Sequence, residues 1–210
     1  MKKLKPALEA RGFEVAIFHA TGMGGMAFEQ IAKQQKFVCV MDFALPELGN
    51  LLAGSVINGG EDRMLSAGVA NIPQIIAPGC IDLIDFAGWQ KIPKKYSDQP
   101  FHEHNRLIKS SALNTEERRE TAREINIRLK KSQAHVHVIL PLRGIEEWDK
   151  IDGPAYDPDG LSAFMNEMKN SIMEPIGVTE IDNHINDEEF SLTVMKIFDN
   201  WVEQGIVLNK

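Results

Sequence analysis

A chain of 210 residues with 43% hydrophobic and 25% charged side chains can bury a core of its own and is not a disordered tail. Its formal net charge of −7, with basic residues scattered along the chain, argues against nucleic acid as a partner, because that affinity comes mainly from neutralising phosphates. No apolar run reaches the roughly 18–20 residues that span a bilayer. The two cysteines, Cys39 and Cys80, lack metal-type spacing and read as reduced thiols of a cytoplasmic protein.

The opening MKKLKPALEARG places Leu4, Ala7 and Leu8 on one face ahead of Gly12, a short amphipathic helix with a glycine stop. Its basic residues have no apolar stretch behind them, unlike a secretory signal. Short β-rich runs then recur at 14–18, 37–41, 74–77, 106–111, 136–140 and 177–182. Helical stripes lie between or after most of them. Ala122, Ile125 and Leu129 mark 115–131; Leu161, Phe164, Met165, Met168 and Ile172 mark 158–173; Phe190, Val194, Ile197, Phe198 and Trp201 mark 187–203. Asn114 before Glu117, Asp157 before Pro158 and Asn186 before Glu189 are the expected caps.

Alternating strands and helices predict an α/β fold, a doubly wound and mostly parallel sheet of about five to six strands in a Rossmann-like three-layer sandwich. Residues 1–210 read as one such domain. It opens on a helix, as though a first strand belonged elsewhere. The stretch 79–105 reads as a long aromatic connection, an ordered lid or an interface.

Ligands of parallel α/β sheets bind beyond the carboxyl ends of the strands. That rule selects His19, Thr21 and the turn Gly22, Met23, Gly24, Gly25, then Asp42, Gly79, Gly144 and His184. HATGMGGMAFE lacks the lysine and spacing of a P-loop. It does fit G-x-G-x-x-A between a strand and a helix, with Asp42 placed as a ribose-binding acid, so an NAD(P)-linked oxidoreductase is one reading. Glycine-turn N–H groups at a helix start also form a general anion site, and a purely packing turn is the third possibility. Glu47 and Arg63 could serve as a site acid and an anion clamp. His102, His104 and the acids nearby fall short of a zinc signature. His135 and His137 begin their strand at the opposite edge and read as structural.

The strings HATGMGGMAFE, GEDR, IPQ with PGCID, HEHN, PLRG, DPDG and HIND run in that order over nearly the whole chain. Together they resemble the second half of an uncharacterised bacterial, fungal and plant family that includes the ATP-binding inhibitory domain of the tomato mosaic virus resistance protein. Members have two α/β halves and a ligand cleft between them, so the resemblance implies a C-terminal half that works with a partner half or as a homo-oligomer. It implies ATP as a possible cofactor and places His19, Thr21, Gly22, Gly24, Gly25, Asp42, Glu47, Arg63, Gly79, Asp82, His104, Gly144 and His184 at motif positions. The family's threonine-rich run after Asp42 is here Phe43-Ala44-Leu45-Pro46, and an expected Arg-Thr pair is Ala112-Leu113, which removes anion donors.

The expectation is therefore a small-molecule domain for a nucleotide or another phosphorylated or carboxylate ligand. Its acid/base candidates are His104 and His184, with Asp42 or Asp82 as orienter, Glu47 as a further site acid and Arg63 as an anion clamp, and no residues are assigned to a metal. A non-catalytic interaction subunit is the alternative from another class.

Overall fold

The computed structural model describes residues 3–99, 101–103 and 105–208. In chain order the elements are α1 (Leu4–Glu9), α2 (Met23–Lys33), β1 (Val40–Asp42), α3 (Pro46–Leu52), α4 (Ser66–Val69), β2 (Gln74–Ile76) and β3 (Leu83–Ala87). A short 3-10 turn at Lys94–Tyr96 is followed by β4 (His102–Glu103), β5 (Ile108–Ala112), α5 (Thr115–Leu129), β6 (Val136–Pro141), α6 (Pro158–Ser171), β7 (Gly177–Ile181) and α7 (Glu188–Glu203).

The main sheet has four strands among the described residues, in the order β1-β2-β6-β7, and every pairing is parallel. Successive side chains of a strand point to opposite faces, and here both faces are apolar. Ile76, Val136, Val138 and Leu140 pack against Leu48 of α3, Ala122, Ile125 and Leu129 of α5, and Phe164 and Met168 of α6. Ile75, Ala77, Ile139 and Ile181 pack against Leu4 and Leu8 of α1 and Phe190, Val194, Phe198 and Trp201 of α7. Each fully buried side chain of this size contributes roughly 1.5–3 kcal/mol, which is why continuous apolar runs form these strands.

Helix starts follow the expected chemistry at two of three places. The Asn114 side chain accepts from the Glu116 and Glu117 N–H groups while Glu117 reaches back, a complete capping box. Asp157 caps α6 through the Gly160 N–H. The third expectation is corrected: Asp187 is the N-cap of α7, and the Asn186 amide donates to Glu147 instead.

Three other expectations change. Residues 14–18 form no ladder with any described strand. The run at 106–111 is β5, and it leaves the main sheet to pair antiparallel with β3 and β4 in a second, three-stranded sheet. Much of 79–105 is therefore folded rather than connecting loop. β3 is hidden in the sequence because Asp85 interrupts its apolar run. In the fold that carboxylate accepts from the Ser110 hydroxyl, and its backbone N–H donates to Asn50. Ile84, Phe86 and Tyr96 form a satellite core under this sheet, and the Tyr96 hydroxyl donates to Glu117 of α5.

Candidate functional site

The glycine turn closes on the protein's own carboxylate. Gly22, at φ +92°, caps α2, so the free N–H groups of the first turn point outward as a ready anion site. The fully buried Glu47, on α3, fills it: its Oε1 accepts from the Gly22 N–H at 2.5 Å and the Gly25 N–H at 3.1 Å. The glycines make that approach possible. A Cβ on Gly25 would lie 1.9 Å from Glu47 Oε2, and one on Gly24 would lie 1.9 Å from the His19 carbonyl oxygen.

Glu47 is also one arm of an ion network around Arg63. The guanidinium is 2% exposed; its Nε donates to Glu47 Oε2 at 2.8 Å, and its two terminal nitrogens chelate the Asp42 carboxylate. Nη2 also donates to the Ala44 carbonyl, and Glu29 stands 3.6 Å from Nη1. Glu29 in turn accepts from the Met64 and Ser66 N–H groups. Three carboxylates around one buried guanidinium hold Arg63 firmly protonated, against the opposing effect of burial. Burial raises the Glu29 carboxyl above its ordinary value. Both oxygens of Asp42 thus face Arg63, which leaves little to offer a ribose.

A second polar group lies beyond the carboxyl ends of β2 and β6. Gly144, at φ +138°, passes so close to His184 that a Cβ there would sit 2.3 Å from the ring Cδ2. His184 is buried, its Nδ1 accepts from the Asn186 N–H at 3.0 Å, and its Nε2 lies 2.8 Å from the Glu146 carbonyl and 3.0 Å from Asp149 Oδ1. Both ring nitrogens are committed, so the imidazole ties the loop after β6 to the loop after β7. Gly79 has the same logic, since a Cβ would lie 2.1 Å from the Phe43 carbonyl oxygen.

The carboxylates here are not all satisfied. Glu146 is 5% exposed; Oε2 accepts from the Trp148 N–H at 2.6 Å, while Oε1 has no partner. Burial, reinforced by Asp82, Asp149 and Glu147, pushes its carboxyl up to about 7. Asp82 is 2% exposed with Oδ1 unpartnered, and burial pushes it up to about 6 although Arg118 stands 3.9 Å from Oδ2. Burial together with this acidic company lifts the Cys80 thiol to about 12, so it stays a thiol near neutrality.

A cleft of about 610 Å³ runs past both groups. One stretch is apolar, between Ala16, Ile17 and Phe18 and the β1 edge with Phe37, Cys39 and Met41. The other is its polar mouth, where His19, Thr21, Cys80, Asp85, Ser110, Glu146 and Trp148 meet. Of the expected site residues, His19, Thr21, Gly25, Asp42, Glu47 and Arg63 line the cleft, whereas Gly22 and Gly24 do not, Met23 is 79% exposed, and Asp82, Gly79, Gly144 and His184 are buried outside its lining. His104 lies outside the described residues. Asp85, Ser110, Glu146 and Trp148 were missed. Position could have found Glu146, two residues after the glycine that ends the β6 turn; Asp85 and Ser110 arrive only with the second sheet.

Residues 1–202 match the C-terminal domain of the uncharacterised protein family UPF0261. The chain belongs to this family. A UPF0261 protein of Brucella melitensis is 48% identical over 99% of this chain and 50% of its own length. One from Clostridium tetani is 29% identical over 95% of this chain, again 50% of its own length. The tomato ToMV resistance protein Tm-1(GCR237) is 28% identical over 93% of this chain and 26% of its own length. The chain thus spans about half the length of the UPF0261 proteins it matches.

Proposed function

We propose that this UPF0261 domain binds a small molecule at the polar mouth of the cleft, as one half of a two-part site completed by an N-terminal half or a second subunit. The observation that carries this reading is Glu146, a buried carboxyl with an unpartnered oxygen beside the carboxyl ends of parallel strands. The ligand class differs from the bare anion that a glycine turn suggests. Gly22 and Gly25 already donate to Glu47, and the lining carries Asp42, Glu47, Asp85, Glu146 and Glu147 against the single guanidinium of Arg63. Such a lining repels phosphate and receives hydroxyl or cationic groups. For a nucleotide this means the nucleoside enters and the phosphates stay toward solvent or the partner half. The NAD(P) reading loses its acid, because Asp42 is chelated by Arg63. Two free cysteines support a cytoplasmic setting, and no helix among the described residues is long and apolar enough to cross a membrane.

Titrating the chain with adenosine, ATP and NADH while following Trp148 emission tests this, with Trp148→Phe as the control that assigns the signal. Adenosine binding at least as tight as ATP, weakened roughly tenfold or more by Glu146→Gln, is the expected result, since a lost hydrogen bond to a charged or buried group costs about 1.5–3 kcal/mol. ATP binding with no adenosine response would sink it.

A further inference from the structure

The apolar stretch of the cleft has the geometry of a missing strand position. In a parallel ladder, alternate residues of a strand direct both backbone groups to the same neighbour. The Val40 N–H donates to Pro73 and the Asp42 carbonyl accepts from Ala77, so these two residues serve β2. Cys39 and Met41 turn the other way, toward the cleft, where no described strand pairs with them. Across the gap lies EVAIF at 14–18, strand-like in composition and likewise outside any described ladder. The floor and roof are built as well. Phe13, Val15, Val38, Cys39, Met41 and Phe43 continue the core beneath α1 and α7. On the other side Phe18, Phe28 and Phe37 form a ring cluster with centroids 5.9–6.0 Å apart.

Helix placement points the same way. The crossover helices α3, α5 and α6 lie on one face of the sheet, whereas α1 and the terminal α7 share the other. A doubly wound sheet of strand order 2-1-3-4-5 has its first and last helices on the face opposite the rest, because its winding reverses at the first strand. In that order residues 14–18 are the second strand, β1 is the third, and the vacant slot between them is the first.

We propose that this groove receives one β-strand, parallel to β1, from the chain that precedes the matched half in the longer UPF0261 relatives. The strand hydrogen-bonds Met41 and its neighbours on one side and residues 14–18 on the other, and its alternating apolar side chains enter the two clusters just described. It is independent of what the polar mouth binds. The occupant is peptide backbone, since only a strand satisfies both rows of amide groups at once.

The test fuses to Met1 the stretch that immediately precedes the matched half in the Brucella melitensis relative. A control fusion carries prolines at alternate positions of that stretch, which cannot donate to a ladder. Hydrogen exchange is followed by mass spectrometry in peptides covering 14–18 and 39–43, with the thermal midpoint and the mass in solution. Slowing of roughly tenfold or more in both peptides, with a raised midpoint and neither effect in the proline control, is expected. No slowing in either peptide overturns the proposal. So does equal protection in the unfused chain as a monomer, which would mean that 14–18 pairs with β1 directly. Protection that appears only in an unfused dimer overturns it too, by assigning the groove to a second copy.

Discussion

Replacing Glu47 by glutamine asks whether the glycine turn is closed by an internal carboxylate. Glu47 is fully buried and takes three donors, the N–H groups of Gly22 and Gly25 and the Nε of Arg63. The amide keeps the shape, and its carbonyl oxygen still serves the turn. Its NH2 group then meets the Arg63 Nε–H, donor against donor, and the guanidinium loses one of its carboxylates. Removing one member of a buried pair costs about 3–5 kcal/mol, and a single hydrogen bond to a charged group contributes about 1.5–3 kcal/mol. Asp42 still chelates Arg63, so the expected loss is about 2–4 kcal/mol. At roughly 2–4 °C per kcal/mol for a chain of this size, the thermal midpoint falls by about 5–15 °C. Melts followed by circular dichroism near neutral pH measure it for Glu47→Gln, Arg63→Met and the double variant. The double variant should cost less than the sum by about 1 kcal/mol or more, because the two side chains share one interaction. A fall under about 3 °C, or full additivity, would refute the closed-turn reasoning.

Three further outcomes follow from the same geometry. Gly25→Ala forces a methyl to 1.9 Å from Glu47 Oε2 and should cost about 1–3 kcal/mol, whereas Gly54→Ala has open space and only a left-handed φ of +76° to bear, so its denaturation midpoint should move less. For Glu146 the folded state holds the proton more tightly than the unfolded chain, so native stability falls as pH rises from the ordinary value of 4.5 through about 7. Glu146→Gln should therefore match the parent in melts below about pH 4.5 and exceed it above about pH 7; equal midpoints throughout would show that burial exerts no such cost. Asn114→Ala removes the acceptor of the α5 capping box and should lower stability by about 1 kcal/mol in urea unfolding with an unchanged m-value.

Local patterns were legible where one element answers to its own residues. The stripes of α5, α6 and α7 and the caps Asn114 and Asp157 stand as their spacing indicates, since 3.6-residue periodicity and cap chemistry are short-range rules. The runs at 74–77, 136–140 and 177–182 became β2, β6 and β7 for the same reason. At the site, the sequence singled out Gly22, Gly25, Asp42, Glu47 and Arg63 but could not tell that they answer one another. Arg63 reaches Asp42 and Glu47 across separations of 21 and 16 residues, and a carboxylate reads the same whether it awaits a ligand or already holds a guanidinium.

What the chain by itself determined is the alternation of apolar strands and amphipathic helices, the glycine turn, and the family to which its ordered motifs belong. Tertiary structure alone decided the placement of β5 beside β3, the closure of the turn on Glu47, the engagement of both His184 nitrogens and the stranding of the Glu146 oxygen. The physical reason is common to all four. Local preference fixes the shape of a segment, but whether a polar group is satisfied depends on partners brought from distant segments, and burial makes that difference count for kilocalories.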